Sequence, residues 1–144
     1  MLNKEQYINW LNDFYVKFNI DPKECHVSHG GSMLMLGLRE LTDDIDLTVS
    51  DRVWKMLLGM GYTYKVIPAT NQYPSIKIMQ IDENIDVHLD DCDLNSKDFL
   101  YEENIYYRNA KITLVDKLKL NRTKDQNDIS LLNVYLKSQI ISDT

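Results

Sequence analysis

The sequence predicts an α+β domain in which a mixed β-sheet is backed by helices and followed by C-terminal helices. Three observations carry that prediction. Apolar residues recur three or four apart near the N-terminus, over residues 52–60 and again beyond residue 114. Between these stretches lie short segments of apolar and polar alternation, above all Asp44–Val49 and Ile85–Leu89. Glycine and polar clusters separate them, so the order runs α, β, α, β, α, several β, then α. With 144 residues the chain can bury one core but not two ordinary domains, so it reads as a single domain: 1–113 an α/β core and 114–144 a helical segment.

In order, residues 4–18 place Ile8, Leu11, Phe14, Tyr15 and Phe18 on one helical face, with Asn3 as cap. Pro22 breaks the chain before a short strand at 25–28, and Gly30-Gly31-Ser32 leads into a short helix over 32–38. The polar turn Glu40–Asp43 precedes the Asp44–Val49 strand. Val53, Met56, Leu57 and Met60 mark a helix over 52–60, which Gly61 stops. Residues 62–67 read as a strand, and 73–81 with 85–89 as a hairpin closed by Asp82-Glu83-Asn84. The polar composition of 91–103 predicts a loop with a short helical turn, and 105–115 a second hairpin around Asn109. Helices are expected at 114–120 and 129–140, with a frayed end at 142–144. Met33, Met35, Met56 and Met60 are expected to fill the core.

Composition narrows the function. A hydrophobic share of 44% and a charged share of 26% fit a globular protein, and no stretch is apolar enough to cross a bilayer, so no membrane partner is expected. The N-terminus lacks the basic start and long apolar run of a secretion signal, which predicts a cytoplasmic protein with Cys25 and Cys92 reduced. A net charge of −6 does not favour a large nucleic-acid surface, whereas a site for divalent cations would concentrate carboxylates.

Asp is depleted in strands, so the alternate Asp44 and Asp46 need a reason. A period of two puts both carboxylates on one face while Ile45, Leu47 and Val49 take the other. Asp86 sits the same way in the 85–89 strand, and if the two strands are neighbours three carboxylates converge. Such a cluster repels itself unless a cation neutralises it, and Mg²⁺ takes oxygen ligands together with substrate phosphates. Taken by itself, the pair is equally compatible with a solvated sheet face.

The turn Gly30-Gly31-Ser32 lies between a short strand and a helix, where backbone amides approach phosphate closely. The segment from His29 to Val49, HGGSMLMLGLRELTDDIDLTV, resembles the signature of the DNA polymerase β-like nucleotidyltransferases, and is most similar to the minimal and abortive-infection-type toxin members. A second block, Leu114 to Ile129, resembles that family's later helical motif through Lys117, Arg122, Lys124, Asp125 and Asp128. The resemblance implies a nucleotidyltransferase fold and transfer of a nucleoside monophosphate from an NTP to an acceptor hydroxyl, with release of pyrophosphate. It implies that Asp44 and Asp46 bind Mg²⁺ or Mn²⁺ and that Asp86 is the third carboxylate, a metal ligand or base. Gly30, Gly31, Ser32 and Lys117 would hold the triphosphate, with ATP the expected donor. The acceptor, a protein, a small molecule or an RNA end, is not named by the sequence, and a homodimer is a further expectation.

Other readings accompany this one. Arg39 reaches either a phosphate or a surface carboxylate such as Glu40 or Asp43. His29 neighbours the nucleotide or is structural, and His88 shares a polar face with Asp86 and Asp90, where it would orient a carboxylate. Tyr101, Tyr106 and Tyr107 read as sheet filling before a stacking platform. The histidines and cysteines have no compact zinc spacing. Beside an active transferase, the same carboxylates would suit a metal-dependent phosphodiesterase, and the same fold a non-catalytic nucleotide- or protein-binding module.

Overall fold

The computed structural model describes residues 1–71, 74–82, 85–89, 94 and 96–142. Helix α1, Lys4–Lys17, opens with a capping box: the Asn3 side chain accepts from Gln6 N–H and the Gln6 side chain accepts from Asn3 N–H. Its buried face is Tyr7, Ile8, Leu11, Phe14 and Tyr15. A 3₁₀ turn, Pro22–Glu24, leads into β1, Cys25–Val27. Then follow α2 (Gly30–Met35), β2 (Ile45–Val49), α3 (Asp51–Gly59) and β3 (Tyr64–Ile67). The remaining elements are β4 (Ile76–Asp82), β5 (Ile85–Leu89), β6 (Phe99–Glu102), β7 (Ile105–Arg108), α4 (Ala110–Leu120) and α5 (Gln126–Ser142).

The strands form one mixed sheet in the order β3-β4-β5-β2-β1-β7-β6. β2 runs antiparallel to β1 and parallel to β5, and β1 also pairs parallel with β7. Strand alternation therefore divides the sheet into two faces. Ile45, Leu47 and Val49 of β2 join Ile85 and Val87 of β5 and Met79 of β4 in a core closed by Tyr7, Leu11 and Phe14 of α1 and Val53, Trp54 and Leu57 of α3. The opposite face carries His26, Thr48 and His88 in one row and Asp46 and Asp86 in another, as the register requires. A second, smaller apolar cluster of Met33, Ala110 and Leu132 ties α2 to α4 and α5. The predicted class, a mixed sheet with helices behind it and helices at the C-terminus, is the one observed.

Two local expectations are corrected. The second hairpin turns at Glu103-Asn104, not at Asn109. Both turn residues have positive φ, 48° and 68°, which suits the right-handed twist of a two-residue hairpin, and β6 thereby occupies residues read as loop. Asn109 is extended and caps α4 by accepting from Ile112 N–H, so α4 starts well before residue 114. Met60, expected inside, is the C-terminal cap of α3 and is 54% exposed, while Met33 and Met35 are buried. Tyr73, Glu83, Asn84, Cys92 and the final two residues lie outside the described residues.

Candidate active site

The turn between β1 and α2 forms one side of the site. His29 holds φ 54° and ψ −124°, a conformation that side chains disfavour, and the chain then enters α2 at Gly30. Close approach requires glycine at the second of the two positions. A Cβ on Gly30 would lie 2.6 Å from Arg39 Nη1, and one on Gly31 would lie 2.2 Å from the Tyr7 hydroxyl oxygen. Ser32 is fully buried and its hydroxyl donates to Val27 O at 3.1 Å, closing the turn. Of the three turn residues, Gly30 lines the cleft, while Gly31 packs on Tyr7 and the Ser32 hydroxyl is turned inward.

The carboxylates stand on the open face of the sheet. Asp46 and Asp86 are register partners on the neighbouring parallel strands β2 and β5, so the condition for convergence is met. Asp44 immediately precedes β2, is exposed, and lines the same cleft. His88, two residues beyond Asp86, brings Nε2 to 3.6 Å from Asp46 Oδ1; Asp90 lies outside the described residues. The two facing carboxyls are driven apart in acidity. Burial pushes Asp46 up, but His88, His29 and Lys117 more than offset it and hold it below the ordinary carboxylate range. Burial, then the charge of Asp46, raises Asp86, with a further contribution from Asp44. Burial lowers His29, so its imidazole stays neutral more readily.

Among the described residues, no three His, Cys, Asp or Glu side chains are grouped tightly enough to hold a metal ion by themselves. Mg²⁺, however, is ordinarily held by one or two carboxylates with waters and substrate phosphates. The all-oxygen donor set of Asp44, Asp46 and Asp86 fits such an ion, and the charge of Asp46, which after burial is the main cause that raises Asp86, is what a cation would offset.

The other side of the cleft is cationic. Lys117 of α4 is buried, with Nζ 3.4 Å from Asp125 Oδ1 and 3.1 Å from Asp128 Oδ2. Asp128 also accepts from Arg39 at 2.7 Å, and Asp125 accepts from Arg122 through Nε at 2.8 Å and Nη2 at 3.0 Å. These bonds, with burial opposing them, depress the Asp125 carboxyl far below its usual range. Arg39 thus pairs with neither Glu40 nor Asp43 but with the C-terminal helix, and it stays at the cleft beside Gly30. With Lys124, this wall has four cations against two carboxylates and faces three carboxylates across a cleft of about 480 Å³.

A second cavity of about 340 Å³ adjoins the cleft and shares His29, His88 and Leu120 with it. The structure brings Gly30, Arg39, Asp44, Asp46, Asp86 and Lys117 together at one cleft. Tyr101 and Tyr106 pack with their rings tilted by 56° and centroids 4.8 Å apart in the β6–β7 hairpin, and they line neither cavity. Cys25 belongs to the core while His26, next to it, takes the opposite face of the sheet. Sequence reasoning left three things unassigned. Asp125 and Asp128 anchor the cationic wall, for which their place with Lys117 in the block that carries the resemblance was the signal. Tyr7 underlies the glycine turn, and Arg108 and Asp116 line the second cavity; neither had a local signal, because both depend on tertiary neighbours.

No family model matches the chain, and no curated protein matches it in sequence. Among solved structures it is similar to the crystal structure of the Megavirus polyadenylate synthase, with a TM-score of 0.55 and 15% sequence identity. The similarity covers 94% of this chain and 35% of that one, so the chain spans about a third of the neighbour's length. At this identity the likeness shows the fold. Among the described residues no helix is long and apolar enough to cross a membrane. The protein has a nucleotidyltransferase-like fold, with a seven-stranded mixed sheet whose open face carries the facing Asp46 and Asp86.

Proposed function

We propose that the protein transfers a nucleoside monophosphate from a metal-bound nucleoside triphosphate to an acceptor hydroxyl. The observation that carries this is the register pairing of Asp46 with Asp86 opposite the cationic wall of Arg39, Lys117 and Arg122. A triphosphate needs both: cations along its length, and a carboxylate-held divalent ion at the reacting phosphorus. The sequence resemblance to minimal and abortive-infection-type enzymes supports a small modifying enzyme whose acceptor is a protein, a small molecule or an RNA end.

In this reading Asp44 and Asp46 hold Mg²⁺ or Mn²⁺, with Asp86 as the third carboxylate. The ion supplies neutralisation of charge on the phosphates and orientation of the α-phosphorus. Asp86, whose acidity is already weakened by burial and by the charge of Asp46, takes the proton of the acceptor hydroxyl. The acceptor oxygen forms its bond to the α-phosphorus as the bond to the bridging oxygen breaks. Pyrophosphate leaves along Arg39, whose guanidinium lies against Gly30, and Lys117.

The test is incubation of the protein with each of the four α-labelled nucleoside triphosphates, with Mg²⁺ or Mn²⁺, in a cell extract. Label should pass to a macromolecule or metabolite and be lost in Asp44→Asn and Asp46→Asn. Nucleotide binding without transfer under every condition would instead support a binding module on this fold.

A further inference from the structure

We infer that the cavity beside the carboxylate cleft seats the donor's nucleobase and that Arg108 and Asp116 select guanine there, an inference that rests on the nucleotide reading of the cleft. The connection is geometric. His88 lines both cavities and approaches Asp46 to 3.6 Å, so a nucleotide whose α-phosphorus lies at Asp46 has its sugar over His88 and its base in the adjoining space. The space of about 340 Å³ suits one ring system, with Ile76 and Leu120 as apolar walls.

The polar end is an ion pair. Arg108 Nη1 lies 3.2 Å from Asp116 Oδ2, and both side chains are 24% exposed. Among the described residues this contact engages one nitrogen and one oxygen of the pair, and the Arg108 Nε is buried without a partner. The guanidinium also lies over the Phe99 ring, 6.0 Å from its centroid, and with Nε buried it is the other terminal nitrogen of Arg108, beside a carboxylate oxygen of Asp116, that is left to read a base edge. Guanine offers two adjacent donors, N1–H and the exocyclic amine, that match a carboxylate, and beside them a carbonyl oxygen that accepts from the guanidinium. Adenine can give Asp116 only its exocyclic amine, because its ring N1 carries a lone pair. A single-ring base leaves the space partly filled. On this reading GTP, rather than the ATP that the sequence resemblance implies, is the preferred donor.

Isothermal titration with the α,β-methylene analogues of the four triphosphates and of xanthosine triphosphate separates the possibilities. The guanine analogue should bind about tenfold or more tightly than the adenine analogue. Asp116→Asn should lose that preference and gain the xanthine analogue, since its amide donates where the carboxylate accepted. Arg108→Lys, which keeps a cation beside Asp116 but removes the planar fork, should weaken the guanine preference while the fold is retained. Equal affinities for all four, or an unchanged ranking in Asp116→Asn, would overturn this inference and leave the proposed reaction standing. Failure of every analogue to bind would overturn both.

Discussion

At Gly31 the backbone runs so close over the Tyr7 ring that an added methyl would lie 2.2 Å from the phenol oxygen and 3.1 Å from the ring carbon bearing it. Gly31→Ala should cost about 1–3 kcal/mol in urea unfolding, as overpacking does, and the loss should shrink in a Tyr7→Phe background. Among the described residues the buried Tyr7 hydroxyl has no hydrogen-bond partner, so its removal by itself should be nearly neutral. His26 carries a second consequence. Burial, then Arg108 and His88, lowers its imidazole to about 3 from the usual 6.5. Between those values the unfolded chain binds the proton that the folded one refuses, so stability is full above about pH 6.5 and falls as pH drops toward 3. His29, also lowered by burial, adds in the same direction. Thermal midpoints against pH should show this decline, and His26→Phe should flatten it; an unchanged profile would mean that His26 does not cause it.

Among the elements, α5 is joined to the site by charge as well as by packing. Asp128 serves both Arg39, on the segment before β2, and the buried Lys117 of α4. Asp128→Ala should lower the unfolding free energy by roughly 3 kcal/mol, because it leaves the buried Lys117 with Asp125 as its remaining close carboxylate. The double variant Lys117→Met, Asp128→Leu should lose less than the single one, since it removes the buried lysine together with its partner while Asp125 keeps Arg122. Losses in the double variant equal to the sum of the single ones would show the two residues to be uncoupled. This network was only half legible in the sequence. The family resemblance grouped Lys117, Asp125 and Asp128, but which carboxylate meets which cation depends on how α5 folds back across α4. The β6–β7 hairpin illustrates the same limit. Asn109 is an equally good turn former and cap former in isolation, and the positive φ of Glu103 and Asn104 decided the matter.

For the molecule as a whole, the alternation of Asp44–Val49 and Ile85–Leu89 was enough to foresee two strands with acidic and apolar faces. Their parallel pairing, which sets Asp46 opposite Asp86, was not, because parallel register is established by long crossovers that leave no local mark. The division of labour around Gly30 and Ser32 was hidden for a similar reason: Arg39 and Val27, which occupy them, come from elsewhere in the chain or lie behind the turn. With the acceptor unidentified, the most direct test of the central claim does not depend on it. It is the electron paramagnetic resonance titration of Mn²⁺ into the protein with and without an α,β-methylene nucleoside triphosphate. The account predicts that Mn²⁺ binds tightly only with the nucleotide present, and that Asp46→Asn abolishes this binding while the thermal midpoint stays near that of the parent. Mn²⁺ binding that ignores the nucleotide, or that survives in Asp46→Asn, would contradict it.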